Sequence, residues 1–227
     1  MCYLDAMQLF LDTANISDIA ALVPTGLVDG VTTNPTLIAD AALRGGPAFI
    51  PALQQICTLV PGPVSAEVVA PDLDGMLREA AVLRQVASNI VIKLPLTEAG
   101  LIACQRLNAE NVKTNVTLCF TAAQALAAMK SGATYISPFL GRFEAKGGDA
   151  EALLADIITF KHKYGFATKV LAASIRTLDH LNMAARMGAD CATFGPALFR
   201  QMIRHDMTDD GLAAFTEAWA KTGQSIA

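Results

Sequence analysis

The chain alternates short apolar runs with longer amphipathic segments from one end to the other. Short apolar, β-branched runs are typical of buried strands, whereas apolar residues spaced three and four apart are typical of helices. The runs predict eight strands, at approximately residues 8–12, 27–33, 63–69, 89–94, 112–118, 133–139, 168–173 and 190–194. Helices are predicted between them, among others at residues 73–86, 98–107, 122–130, 150–164 and 178–187.

Repetition of a strand followed by a helix favours a parallel sheet, because each helix returns the chain to the same edge. Eight such units in 227 residues predict closure into a (β/α)8 TIM barrel, a fold of roughly 250 residues. We expect residues 1–227 to form one domain, since no linker or low-complexity tract divides them. An additional amphipathic helix is predicted at about 208–222. We expect it to pack against the barrel, with a lid or a subunit clasp as the alternative.

Composition and charge narrow the classes of function. Hydrophobic residues make up 53% of the chain and charged residues 17%, which favours a large core and a homo-oligomer. A net charge of −4 argues against nucleic acid as a partner. Five cysteines without a C-x-x-C pair indicate free thiols in a reducing compartment. Met1 to Met7 lack the features of a secretion signal, and no apolar run reaches the roughly 18 residues of a membrane span, so a cytoplasmic protein is predicted.

One lysine, Lys93, interrupts the apolar run Ile90-Val91-Ile92 before Leu94-Pro95. Burial penalises the charged form of an amine, and a neutral amine can attack a ketone to form a Schiff base. The alternative is a lysine at the end of a strand that extends its amine to water. The strand alone does not decide between the two.

The alternation of side chains in strands places several polar groups together. Barrel enzymes hold their reactive groups at the carboxyl ends of the strands, so the residues that point inward there are the candidates. The pairs expected to face inward are Asp12 with Phe10, Glu67 with Ser65, Lys93 with Val91, Thr117 with Asn115, and Phe139 with Ser137. Schiff-base chemistry requires an amine, a group that moves protons, and a base. The set contains all three.

Five segments resemble the transaldolases: FLDTAN at 10–15, DGVTTNPTLI at 29–38, IVIKLP at 90–95, NVTLCFT at 115–121 and AASIR at 172–176. The resemblance covers nearly the whole chain. Length and motif spacing are similar to the small-barrel subfamily, which also contains the fructose-6-phosphate aldolases. It implies a ring-based homo-oligomer, a pentamer or decamer, with the C-terminal helix near a neighbour's site.

The resemblance also implies roles for the inward-facing residues. Lys93 would form the Schiff base with a ketose phosphate, cleavage would leave a dihydroxyacetone unit on the enzyme, and an aldose phosphate would accept it. Asp12 would donate and accept protons near the imine, Glu67 would act as a base through a water, and Thr117 would hold that water.

Substrate contacts follow from the same resemblance. The sugar or the imine-forming atoms would be contacted by Thr32, Asn34, Asn115 and Ser137, for which turn or barrel hydrogen bonding is the alternative. The phosphate would be bound by Arg142, Ser174 and Arg176, because guanidinium groups match phosphate oxygens and a hydroxyl adds a donor.

Phe139 bears on the choice between two activities. The fructose-6-phosphate aldolases resemble this chain but carry Gln and Tyr where it has Glu67 and Phe139. The apolar ring predicts a transaldolase that retains the three-carbon unit for an acceptor, with an aldolase that releases free dihydroxyacetone as the alternative. The segment 143–148 differs from the usual pattern, so a 6-modified donor such as a sulfonated ketose also stays open.

No cofactor or metal is expected, because the protonated imine serves as the electron sink. His162, His180 and His205 lie on helical segments without ligand spacing, so surface or packing roles are predicted for them. A third class of function is a sugar-phosphate-binding barrel without catalysis. The lysine beside two carboxylates argues against it.

Overall fold

The computed structural model describes residues 6–226, so Cys2 and the first residues of the segment Met1 to Met7 lie outside the described residues. Eight parallel strands close into a barrel in sequence order, which confirms the predicted (β/α)8 TIM barrel. The strands are β1 (Gln8–Asp12), β2 (Gly30–Thr32), β3 (Val64–Glu67), β4 (Ile90–Pro95), β5 (Thr114–Cys119), β6 (Tyr135–Pro138), β7 (Lys169–Ile175) and β8 (Cys191–Phe194).

Helices follow the strands and surround the barrel, with a short 3-10 turn at Val23–Thr25. They are α1 (Ile16–Leu22), α2 (Pro35–Leu43), α3 (Phe49–Leu59), α4 (Leu73–Leu83), α5 (Glu98–Ala109), α6 (Ala122–Lys130), α7 (Leu140–Glu144), α8 (Ala150–Tyr164), α9 (Leu178–Met187), α10 (Pro196–Ile203) and α11 (Asp206–Ala220).

The loops at the carboxyl ends of the strands are held by helix caps. Asn15 and Asn34 accept backbone N–H groups at the starts of α1 and α2, and Thr97 does the same for α5. Thr121 and Gln124 form a reciprocal capping box at α6. Each cap is worth about 0.5–2 kcal/mol and fixes the angle at which the chain leaves the strand. Short strand-to-helix turns therefore hold this face of the barrel in place.

Strand β2 is shorter than the predicted run 27–33, because residues 27–29 precede the strand and only residues 30–32 pair in the barrel. Gly30 begins the strand, and a Cβ there would lie 2.7 Å from the Pro63 carbonyl oxygen and 2.8 Å from the Phe10 ring. Any larger residue at position 30 would collide with the backbone ahead of β3 and with the Phe10 ring from β1, so only glycine fits there.

Inside the barrel, the layers of side chains beneath the carboxyl ends of the strands are apolar. Phe10, Val91, Tyr135, Leu171, Ala173 and Cys191 form one buried cluster, against which Phe139 packs. Phe10 and Tyr135 meet edge to face, with ring centroids 6.1 Å apart. Truncation of Phe10 to alanine would cost about 3–5 kcal/mol of stability. The predicted inward orientation of Phe10, Val91 and Phe139 is confirmed, and this cluster forms the floor beneath the polar groups described next.

Helix α11 departs from expectation. We predicted that it packs against the barrel, but the structure buries none of its side chains, and Phe215 is 76% exposed. Leu212 and Trp219 are exposed on the same helix. The prediction was wrong because an apolar stripe shows that a helix needs a partner and not that its own chain provides one. Within residues 6–226, no helix is long and apolar enough to cross a membrane.

Candidate active site

Lys93 lies near the carboxyl end of β4 with its side chain only 5% exposed. Its Nζ lies 3.0 Å from Glu67 Oε2 and donates a hydrogen bond of 3.0 Å to the Thr33 carbonyl oxygen. The amine is therefore held inside the barrel mouth, and the alternative of a lysine extended to water does not apply.

Glu67 reaches Lys93 from the neighbouring strand, because the two residues are in register between β3 and β4. Its side chain also borders an apolar groove lined by Phe49 and Ile50 of α3 and Val82 of α4. The carboxylate thus joins the barrel mouth to the space between two helices, which simple alternation did not predict.

Asp12 ends β1, and a hydroxyl relay holds it. Thr32 donates to Asp12 Oδ1 at 2.7 Å, and the Thr32 and Thr193 hydroxyl oxygens lie 2.6 Å apart. Because the single Thr32 proton points to Asp12, Thr193 is the donor to Thr32. Desolvation raises the pKa of Asp12 above its ordinary 3.8, against the lowering effects of Lys93 and the Thr32 hydroxyl. A carboxyl group with a raised pKa is suited to give and take protons.

A buried amide network lies on the opposite wall. Ser137 donates to Asn115 Oδ1 at 2.7 Å, and Asn115 Nδ2 donates to Ser65 Oγ at 3.1 Å. All three residues are buried, on β6, β5 and β3. These bonds fix which way the Asn115 amide points, so a bound molecule would meet a set orientation of donors.

Thr117 is the buried side chain whose polar atom is unsatisfied within the described part of the chain. An unpaired buried hydroxyl costs about 1–3 kcal/mol, and the Thr117 hydroxyl therefore has its hydrogen-bonding capacity left for a bound water or ligand. Next to it, Leu118 has φ of +62°, and the pairing of β5 with β6 shifts between Val116 and Cys119. Bulges of this kind aim side chains at the ends of strands.

A pocket of about 90 Å³ opens between these groups. Its walls are Asp12, Thr32, Asn34, Lys93, Thr117, Ser137, Phe139, Arg142, Ala173, Ser174 and Thr193. Most of the residues predicted from the sequence meet there. Among the predicted residues, Glu67 and Asn115 contact the site through Lys93 and Ser137, and Arg176 lies outside the pocket wall. Asn34 both lines the pocket and caps α2.

The predicted phosphate-binding residues lie on the side of β6 and β7. The Arg142 guanidinium lies over the Phe139 ring, 5.0 Å from its centroid. Ser174 has φ of +56°, and the pairing of β7 with β8 shifts between Ala172 and Ile175. Because of this bulge, Ala173 and Ser174 both line the pocket, although alternation would turn one of them away.

Sequence reasoning missed one residue of the pocket wall and the contacts of a buried histidine. Thr193 shares the inward face of β8 with Cys191, so extending the alternation to the eighth strand would have found it. His180, for which a surface or packing role was expected, is buried, and its ring makes two polar contacts that were not predicted: Nδ1 accepts the Arg176 N–H and Nε2 lies beside Glu144. A lone histidine on a helix carries no signal for such contacts.

The family model described as Transaldolase/Fructose-6-phosphate aldolase matches residues 9–226. Proteins named probable transaldolase are similar throughout: one from Bartonella bacilliformis is 53% identical, one from Novosphingobium aromaticivorans 52% and one from Caulobacter vibrioides 50%. Each match covers 97% of this chain and 100% of the relative. The chain therefore belongs to the transaldolase/fructose-6-phosphate aldolase family of enzymes.

Proposed function

We propose that this enzyme is a transaldolase that transfers a dihydroxyacetone unit from a ketose phosphate, such as fructose 6-phosphate, to an aldose phosphate. The observation that carries the proposal is the enclosed Lys93 amine beside Glu67, with Asp12 on the same pocket wall. Its relatives from Bartonella and Caulobacter bear the name probable transaldolase.

The geometry supports a sequence of proton transfers. The neutral Lys93 amine adds to the C2 carbonyl, Asp12 protonates the departing hydroxyl group, and loss of water leaves a protonated imine. Glu67 removes the C4 hydroxyl proton through a water held by Thr117, the C3–C4 bond breaks, and its electrons move into the enamine. The enamine then adds to the acceptor carbonyl, and hydrolysis frees Lys93. Every proton taken up by a carboxylate is returned in the reverse half.

Substrate recognition divides between two walls. The hydroxyls of Thr32 and Ser137 and the amides of Asn34 and Asn115 would hold the sugar, and Arg142, Ser174 and Arg176 would bind the anionic group on C6. Arg142 and Ser174 line the same pocket as Lys93. A ketose with another anion on C6, such as a sulfonate, is the alternative donor.

Retention of the three-carbon unit distinguishes transfer from simple cleavage. Phe139 packs against the apolar cluster of the barrel and, at 5.9 Å, against the Phe120 ring. Neither ring carries a group that could protonate the enamine. This favours transfer to an acceptor over release of free dihydroxyacetone.

Borohydride trapping tests the proposal. Fructose 6-phosphate with borohydride should leave a stable adduct whose mass maps to the peptide carrying Lys93. Donor consumption should then depend on an added aldose phosphate. A label on another lysine would contradict the Schiff-base assignment, and rapid dihydroxyacetone release without acceptor would favour the aldolase.

We also infer that the enzyme is a homo-oligomer, a pentamer or decamer, that works in the cytoplasm. Helix α11 exposes Leu212, Phe215 and Trp219, and a second copy of the chain is the partner that would cover them. Cys57, Cys104, Cys119 and Cys191 are free, which suits a reducing compartment. Light scattering should give a multiple of the 23.9 kDa chain, and Phe215→Glu should reduce it. A monomeric wild type would refute the inference.

A further inference from the structure

Two separate segments carry the proposed anion-binding residues, and they touch at one glycine. Helix α7 carries Arg142, and Ser174 and Arg176 end β7 or follow it. A Cβ at Gly141 would lie 2.4 Å from the Ser174 carbonyl oxygen and 2.9 Å from Arg176 Cγ. The stem of Arg176 therefore crosses directly over the first turn of α7. The spacing between the two arginines depends on how these segments are held.

A histidine joins the segments at their other end. His180, in the first turn of α9, accepts the Arg176 backbone N–H at Nδ1, with a distance of 3.3 Å. Its Nε2 lies 2.8 Å from Oε2 of Glu144, the last residue of α7. Because Nδ1 accepts, the ring proton is on Nε2, which donates to Glu144. One imidazole thus connects the backbone of Arg176 to the helix that carries Arg142.

Electrostatics alone does not explain a glutamate at this position. The Glu144 carboxylate lies two residues from Arg142, and a negative charge near an anion-binding site weakens the binding of anions. Its side chain is 58% exposed, so burial does not require it either, whereas the His180 side chain is 9% exposed. The hydrogen bond to His180 is the contact that gives Glu144 a role.

We propose that Glu144 and His180 are positioning residues that fix Arg142 relative to Ser174 and Arg176 and thereby set the affinity for the anionic end of the sugar. The proposal rests on the anion-binding part of the proposed function. It assigns to the pair no contact with the reacting atoms, so it concerns the binding of the anion and not bond cleavage.

Glu144→Ala distinguishes a positioning role of the carboxylate from an effect of its charge alone, because the two predict opposite changes in KM. If the carboxylate acted only by its charge, its removal would lower the KM for fructose 6-phosphate. If it positions α7, KM should rise roughly tenfold, as expected for loss of one charge-assisted hydrogen bond, with kcat close to wild type. The inhibition constant of inorganic phosphate should rise in parallel, and kcat/KM for unphosphorylated fructose should not change.

Two substitutions, one in each residue, separate the contacts of His180. His180→Asn keeps an acceptor for the Arg176 N–H but is too short to reach Glu144, and should behave like Glu144→Ala. Glu144→Gln keeps an acceptor oxygen for Nε2 and should restore a KM near wild type. Equal effects of Glu144→Gln and Glu144→Ala would overturn the role of the hydrogen bond.

Glu110→Ala is the matched control, because Glu110 is 57% exposed, pairs with Arg84 at 2.7 Å, and lies at the far end of the barrel. It should change neither KM nor phosphate inhibition.

Arg142→Ala distinguishes failure of the positioning role from failure of the anion site itself. If it raises KM and the Glu144 and His180 variants do not, the positioning role alone is wrong. If it leaves KM unchanged, the anion site and the positioning role are both wrong.

Discussion

Two lysine–carboxylate pairs lie at opposite ends of the same barrel. The upper pair is Lys93 and Glu67, which meet at the carboxyl ends of β4 and β3. The lower pair is Lys161 of α8 and Asp190, which meet just before the start of β8. Both lysines are largely enclosed, with side chains 5% and 14% exposed. Residue type and burial are thus nearly the same in the two pairs, and their surroundings differ.

At the lower pair, both carboxylate oxygens are used. Asp190 accepts from Lys161 with one oxygen and from the Val170 backbone N–H with the other, at 2.6 Å. At the upper pair, Lys93 donates to Glu67 and to a carbonyl while its side chain also lines a pocket. An ammonium has three protons to donate, so the upper lysine can still face a ligand. Access to a pocket makes a buried lysine a candidate nucleophile, and enclosure makes it a structural element.

Lys93→Met should break this comparison with the largest effect. Without the amine no imine forms, so we expect the transfer rate to fall by on the order of 10⁴-fold or more. Binding of fructose 6-phosphate, measured by calorimetry, should persist because the residues proposed to bind the anion are unchanged. A variant with a nearly normal rate would remove Lys93 from the mechanism.

Asp12→Asn sharpens the comparison, because a third ionisable group accompanies the upper pair. We expect a rate loss of roughly 10²–10³-fold from removal of the proposed proton donor. Burial raises the Asp12 pKa above 3.8. Below pH 3.8 the Asp12 carboxyl is mostly protonated in both the folded and the unfolded chain. As pH rises towards the folded-state pKa, the unfolded chain loses its proton first and the wild type loses stability.

The asparagine variant lacks this titration. Its free energy of unfolding relative to wild type should therefore increase from acidic to neutral pH, as measured by urea denaturation. Thr32→Val, which removes the donor to Asp12 but keeps the carboxyl, is the control and should retain the pH dependence. A stability difference that is constant with pH would contradict the raised pKa.

Lys161→Met tests the lower pair, where we expect the substitution to change stability and not activity. Breaking a buried pair costs about 3–5 kcal/mol, and the partial exposure of this one reduces our expectation to about 1–3 kcal/mol. The free energy of unfolding should fall by that amount while kcat stays close to wild type. A loss of activity in the fully folded variant would show that the two ends of the barrel are coupled.

The barrel was predictable because its signals are local and repeat. Strand alternation gave the inward orientation of Phe10 and Val91, and the helix at 122–130 matched the structure to the residue. The position of α11 was not predictable from its stripe, because an apolar face does not identify what covers it. A single sequence describes one chain, and the partner of α11 is outside that chain.

The site was predictable where strands are regular and less so where they bulge. Lys93 and Asp12 follow simple alternation and lie on the pocket wall. Ser174 lines the pocket with its backbone at positive φ, and the family resemblance and its place after the seventh strand pointed to it, whereas alternation did not. The bond between His180 and Glu144 joins residues 36 positions apart on two helices, so no local pattern reveals it.

Phe139→Tyr has the smallest expected effect and tests what the pocket does with the product of cleavage. Phe139 lines the pocket that sets Lys93 apart from Lys161, and a phenol there would place a proton donor near the enamine. We expect release of free dihydroxyacetone to rise severalfold relative to transfer, because protonation of the enamine competes with the acceptor. The measurement compares dihydroxyacetone formation with and without aldose phosphate. Phe120→Tyr adds a hydroxyl to the ring that packs on Phe139 and outside the pocket wall, and it should leave the ratio unchanged. An equal ratio in both variants would mean that another residue decides the fate of the three-carbon unit.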